Sequence, residues 1–265
     1  MAADLYFKKY GESGRNLVIL HGLFGSSKNW ITFAKSLSRL MTVYVPDLRN
    51  HGESPHMQTH TLNDLREDLK VFLEKHRIEN PVILGHSMGG FAAMALVLKN
   101  PEMAAAVIIE DIAPKNYLPA HRNQFESLKI KLDSMSSRSQ IDEAMREFVK
   151  NKAIRQFLQM NLSHENGVYR WKLNVPVLEN SGFIGEFSDF DGLSYKGNSL
   201  FVTGGLSGYV SEKDHTEIYK FFPAAEILNL KDADHWLHYS KFKEFDNAVK
   251  TFLKKHGLID HRTGS

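Results

Sequence analysis

Short runs of β-branched and apolar residues recur along this chain with helical patterns between them, and that rhythm restricts the fold more than any other feature. The runs are Leu5–Tyr10, Leu17–Leu20, Thr42–Val45, Val82–Leu84, Ala105–Ile109, Ser199–Val202 and Glu226–Leu230. Most are continuously apolar rather than alternating, as strands buried on both faces are. Helical patterns fall at Trp30–Leu40, Leu62–His76, Met88–Lys99, Glu212–Phe222 and Phe242–His256. Strand, helix, strand in repetition predicts a mostly parallel central sheet flanked by helices on both faces.

The rhythm breaks between Pro114 and Asn198, where the patterns turn helical and aromatic: "RNQFESLKIKL", "IDEAMREFVKNKAIRQFLQMNL", "YRWKLNVPVLENSGFIGEF". So long a stretch is not a structureless loop in a compact domain. We read residues 114–198 as an inserted, mostly helical cap, 1–113 and 199–258 as one discontinuous core domain, and 259–265 as a tail. Helix spacing assigns the cap side chains Phe125, Phe148, Phe157, Met160, Trp171, Phe183 and Phe187 mainly to packing, with a minority lining an apolar site.

Within the alternation, "VILGHSMGGFAAMAL" passes directly from strand to helix with a serine between two glycines. A turn of that kind forces its central residue into a strained backbone, and the residues two positions to either side must be small. Gly85-His86-Ser87-Met88-Gly89 thus matches the G-x-S-x-G nucleophile elbow, in the strand-to-helix context the motif requires. The strain lifts the hydroxyl out at the carboxyl edge of the sheet, beside the free N–H groups of the helix start.

A serine hydroxyl needs a base within reach. "LNLKDADHWLHYS" follows the last strand and offers His235, with His238 as the alternative. A developing oxyanion needs two donors. Met88 N–H is one; the other is expected from the "HGLFGSS" loop after Leu20, from Leu23 N–H or alternatively Phe24 N–H. The orienting acid departs from the commoner pattern, because Gly204 to Ser211, after the penultimate strand, contains no carboxylate. Glu212 and Asp214 come where a helix begins and suit its dipole. Asp111, in "IIEDIAP", ends a strand that reaches the site, and the order Ser87, Asp111, His235 keeps nucleophile, acid and base in sequence. Alternation turns the adjacent Glu110 to the opposite face. Asp234 is a poor orienter of the histidine next to it.

"HGLFGSS", "DLRNHGESPH", "GHSMGG", "IIEDIAP" and "DADHW", in this order over most of the chain, resemble the α/β-hydrolase superfamily, and within it the YbfF-type bacterial esterases and their mitochondrial abhydrolase-domain relatives. The resemblance implies the α/β-hydrolase fold and a serine esterase or thioesterase acting on acyl substrates without a cofactor. It also places the acid at the position of Asp111. "WKLNVPVL", late in the cap, is similar to the family as well.

Composition narrows the partners. A net charge of +2, with cations scattered among as many acids, leaves no basic stripe for nucleic acid, so a small-molecule ester or thioester is the expected partner. With 0 cysteines, neither disulfides nor thiolate chemistry operates. "MAADLYFKKYGESG" lacks a signal-peptide core and no apolar run approaches membrane-spanning length, which reads as soluble and cytoplasmic. His51, His56 and His60 crowd one segment, but Pro55 argues for a loop and no carboxylate or cysteine completes a metal set. Asp47 and Arg49 read as a structural ion pair. Two function classes remain: a serine hydrolase (carboxylesterase or acyl-CoA thioesterase), or a non-catalytic ligand-binding sensor on the same shell. Carbon–carbon bond hydrolases and cofactor-free haloperoxidases share the triad. Haloalkane dehalogenases and epoxide hydrolases need a carboxylate where Ser87 stands.

Overall fold

The computed structural model describes residues 1–118, 120–181 and 187–260. Along the chain run β1 (Phe7–Tyr10), β2 (Asn16–Leu20), α1 (Ile31–Leu37), β3 (Thr42–Pro46), α2 (Leu62–Lys75), β4 (Val82–His86), α3 (Met88–Lys99) and β5 (Ala106–Glu110). There follow α4 (Arg122–Leu128), α5 (Arg138–Met145), α6 (Lys152–Gln159), the hairpin β6 (Leu162–Glu165) and β7 (Val168–Trp171), and α7 (Val175–Glu179). The chain then returns through β8 (Asn198–Gly204), α8 (His215–Phe221), β9 (Ala225–Leu230), α9 (Leu237–Ser240) and α10 (Phe242–Lys255).

One 7-stranded sheet has the order β1-β3-β2-β4-β5-β8-β9, parallel throughout except for β1 against β3. Both faces are covered, as the continuous apolar runs require. Val18, Leu20, Ile83, Val107 and Ile109 pack beneath α2, α3 and α8, while Leu17, Ile19, Val82, Leu84 and Ile108 face α1 and α10. The register pairs Leu20 with Gly85, His86 with Glu110, and Glu110 with Val202. The parallel strands therefore end along one edge, where crevices between strand ends form binding sites in such sheets.

The mostly helical reading of the insertion is joined by a hairpin, and two of the expected boundaries shift. The segment between β5 and β8 is not wholly helical: Asn166 and Gly167 take φ +51° and +80°, the two-residue turn that closes a hairpin, so β6 and β7 pair across it. Phe187, Phe190 and Tyr195, read as cap, instead join the core cluster of the main domain, with Phe187 5.4 Å from Phe221. Aromatic rings this large bury most area against the existing core. Ile259, read as tail, is buried in the second cluster. Phe183 lies outside the described residues. The remaining inserted segment builds a small core of its own from Phe125, Leu128, Ile141, Met145, Leu158 and Leu178, and Phe24, from the loop after β2, reaches into it.

Candidate active site

Ser87 joins β4 to α3 at φ +50°, ψ −115°, a conformation few non-glycine residues adopt. The flanking glycines are steric requirements. A Cβ on Gly85 would lie 2.3 Å from Gly89 O, and one on Gly89 2.4 Å from Leu20 O. Ser87 N–H donates to Glu110 O at 3.0 Å, which ties the elbow to the neighbouring strand. Met88 opens α3, so its N–H has no intrahelical acceptor.

The loop after β2 lies against the elbow. A Cβ on Gly22 would stand 2.7 Å from His86 Nδ1 and 3.3 Å from Ser87 Cβ. His21 Nε2 accepts from Leu48 N–H at 2.9 Å, which places the ring proton on Nδ1, and Nδ1–H donates to Gly22 O at 2.9 Å. Gly25 N–H donates to the same carbonyl. These two bonds fix the Gly22–Leu23 peptide, whose N–H lies opposite its C=O, and Leu23 lines the cleft together with Ser87. Phe24 N–H instead donates to His51 Nε2 at 3.3 Å. Of the two sequence candidates, Phe24 thus has its N–H engaged by a buried core histidine.

Asp111 follows β5 at φ +52° and is fully buried. Its Oδ1 accepts from Gly204 N–H at 2.8 Å and its Oδ2 from His235 Nδ1 at 2.7 Å. The His235 ring stacks on Tyr209, centroids 3.9 Å apart and planes 15° apart. Nε2, the other ring nitrogen, is left for the cleft that His235 and Ser87 line together. Among the described residues no hydrogen bond joins Ser87 Oγ to this ring; such contacts are commonly loose before substrate binds.

The competing residues are engaged elsewhere. Glu110 projects to the other side of β5 and takes both Nδ1 (2.8 Å) and the backbone N–H (3.0 Å) of His238, whose ring stacks on Trp30. Asp214 binds Lys115 Nζ at 2.6 Å and caps its own helical turn through Ser211. Asp234 accepts from Trp236 N–H and from the Ser240 hydroxyl. The expected Asp47–Arg49 pair does not form. Arg49 forks onto Asp68 at 2.6 and 2.7 Å and reaches Asp64 at 3.0 Å, while Asp47 accepts the backbone N–H groups of Ser27 and Glu53. β3 ends at Pro46 and the chain then turns, with Asn50 at φ +67°, so the i, i+2 spacing that would put both side chains on one face of a strand does not hold here. No three metal-ligating side chains converge among the described residues.

Residues 15–242 match the family model described as the alpha/beta hydrolase fold. This chain belongs to that family. It is 37% identical over 253 residues to the sn-1-specific diacylglycerol lipase ABHD11 of Danio rerio, covering 90% of this chain and 78% of that protein. It is 28% identical over 291 residues to ethanol acetyltransferase 1 of Hanseniaspora uvarum, covering 96% of this chain and 86% of that one. Among solved structures, a marine microorganism esterase superposes with a TM-score of 0.88 at 34% identity, over 95% of this chain and all (100%) of that one.

Sequence reasoning passed over two residues of this candidate site. His86, the variable residue of the elbow, donates from Nε2 to the carbonyl oxygen of His235 at 2.9 Å and so pins the histidine loop to β4. His121, in the inserted segment, accepts from or donates to the Tyr209 hydroxyl at 3.3 Å and borders the cleft. Neither carries a spacing signal, because each partner lies far away in the chain.

The histidines behind the site have a measurable consequence. His21, His51, His60 and His86 are almost wholly buried. Burial, first among the causes, lowers the pKa of each, His60 to about 3 and His51 and His86 well below the usual value. Each therefore folds neutral, whereas the unfolded chain protonates them below pH ~6.5. The unfolded state then binds more protons, so stability is lost as the pH drops below that value, by roughly 1 kcal/mol per unit for each ring. Denaturant unfolding should show a steep loss between pH 7 and 5, above the range where most carboxylates titrate. A flat profile there would contradict the neutral buried cluster.

Proposed function

We propose that this chain is a serine hydrolase of carboxylic esters or thioesters. The observation that carries the reading is the strained Ser87 facing the same cleft as the Asp111–His235 pair, all at one sheet edge. Ser87 Oγ attacks the acyl carbonyl while His235 Nε2 takes its proton, and Asp111 holds Nδ1–H and the resulting imidazolium. Leu23 and Met88 N–H groups receive the oxyanion. The tetrahedral adduct collapses, His235 returns the proton to the departing alcohol or thiol, and water, deprotonated by the same ring, clears the acyl-enzyme. Reaction with a fluorophosphonate probe and turnover of p-nitrophenyl esters and acyl-CoA thioesters of graded length test the reading. An unlabelled, inert protein would favour the ligand-binding sensor.

The cleft has two lobes that meet at Ser87, about 200 and 220 Å³ in volume. Only the larger one is lined by His235, together with Phe157, Ile154, Leu158 and Trp236. The group that receives the proton must sit beside the base, so this lobe takes the leaving group. The acyl chain then lies in the other, against Ile112, Tyr117 and Leu118. Phe157→Ala should raise kcat/KM for esters of bulky alcohols roughly tenfold relative to ethyl esters, with little change in acyl-length preference. A shift in acyl preference alone would reverse the assignment. The apolar lining of the leaving-group lobe also favours a second reading, transfer of the acyl group to an alcohol in place of water, the chemistry named for the Hanseniaspora uvarum relative. Formation of ethyl ester when hydrolysis is run with added ethanol tests it.

A further inference from the structure

The loop that carries Leu23 is held from two directions. Phe24 takes φ +63°, a left-handed conformation costing a bulky residue on the order of 1 kcal/mol. Such a residue persists only where its surroundings over-determine it. On the core side its N–H donates to His51 Nε2. On the cap side its ring packs 5.0 Å from Phe125 within the cap's own hydrophobic cluster. Its carbonyl accepts a 2.7 Å hydrogen bond from Asn161 Nδ2, contributed by the link between α6 and β6.

Asn161 is built to make that bond. It is buried, its Nδ2 also donates to Leu158 O at 3.1 Å, and its backbone is fixed by Asn161 N–H to Leu158 O and by Lys172 N–H to Asn161 O. The connectivity beyond Phe24 O is continuous. Phe24 C=O and Gly25 N–H belong to one peptide unit, and Gly25 N–H donates to Gly22 O at 2.9 Å. Gly22 C=O and Leu23 N–H belong to the next such unit. A chain of hydrogen-bonded peptides thus runs from the Asn161 amide to Leu23 N–H, and each bond in such a chain polarises and orients the next.

We propose that Asn161 is a positioning residue of the oxyanion hole: from the cap, through the peptides 24–25 and 22–23, it aims and polarises Leu23 N–H. This rests on the serine-hydrolase reading above, and the consequence is that a seated cap and a formed oxyanion hole are one event. Without the Asn161 bond, Phe24 relaxes toward negative φ and the Leu23 peptide loses its fixed direction.

The test compares Asn161→Ala and Asn161→Asp with Asn174→Ala. Asp matches the size of Asn but presents only oxygen to the Phe24 carbonyl. Asn174 ties the cap to the core elsewhere, through Asn50 Oδ1 and Met57 O, both at 3.0 Å. For the shortest ester substrate, both Asn161 variants should lose about tenfold or more in kcat with KM changed less than about threefold, since full loss of one oxyanion donor costs about a hundredfold or more. Affinity for an aryl trifluoromethyl ketone, which forms the tetrahedral oxyanion on the serine, should fall by the same factor as kcat/KM. Asn174→Ala should lower the melting temperature while leaving kcat and ketone affinity near wild type. Folded Asn161 variants with wild-type kcat and ketone affinity would overturn the proposal, as would an equal kcat loss in Asn174→Ala, which would mean general cap loosening. A wild-type protein that neither binds the ketone nor reacts with fluorophosphonate would instead remove the serine-hydrolase reading itself.

Discussion

Ser87→Ala should lower ester turnover by at least about a thousandfold while the protein stays folded, and fluorophosphonate labelling should vanish with activity. The chain has 0 cysteines, so no thiol can replace the hydroxyl. The backbone argument predicts that the fold survives. The elbow is held by Ser87 N–H to Glu110 O, by Phe91 N–H to Ser87 O and by the close approach of Gly89 to Leu20, none of which involves Oγ. Alanine keeps the same Cβ at the same strained φ. What remains after the change is the oxyanion hole and the binding cleft, which alone still accelerate acyl transfer modestly over water. Turnover within tenfold of wild type would mean that acyl transfer does not pass through this elbow.

The parts legible in the sequence are those encoded by neighbours in the chain. Gly85-His86-Ser87-Met88-Gly89 states its own geometry, because a strand, a tight turn and a helix start are contiguous and the glycines are spaced by the turn itself. The sheet edge was legible too, since strands buried on both faces read as apolar runs, and placing Asp111 and His235 at strand ends needed only that their strands be parallel. The hairpin β6–β7 carried a local signal, Asn166-Gly167, but it sits between short strands whose outward residues His164, Glu165 and Arg170 resemble the polar faces of nearby helices. The missing parts depend on pairing across the fold. Arg49 finds Asp68 rather than Asp47, His86 finds the carbonyl of His235, and Asn161 finds Phe24 from 137 positions away. No periodicity records such contacts, which arise only once segments distant in the chain have packed together.

Asp111→Asn should reduce turnover by on the order of ten-thousandfold at neutral pH, and the hydrogen bonds around the carboxylate explain why so small a change has so large an effect. Gly204 N–H donates to Oδ1, so an asparagine must keep its oxygen on that side and turn its NH₂ toward His235. The imidazole must then accept at Nδ1 and carry its proton on Nε2, where a base for Ser87 needs a lone pair. Tyr209 stacked on the ring and His86 bonded to the His235 carbonyl oppose any rotation that would correct the tautomer. The imidazolium formed during attack also loses its negative partner in a site where the carboxylate is fully buried and screening by water is weakest. Asp214→Asn, by contrast, removes a partly exposed Lys115 ion pair and one turn cap, and should change turnover less than about threefold. Measuring kcat/KM for both variants on one p-nitrophenyl ester decides between the two strand ends. Near wild-type activity in Asp111→Asn, or a collapse confined to Asp214→Asn, would return the acid to the loop after β8.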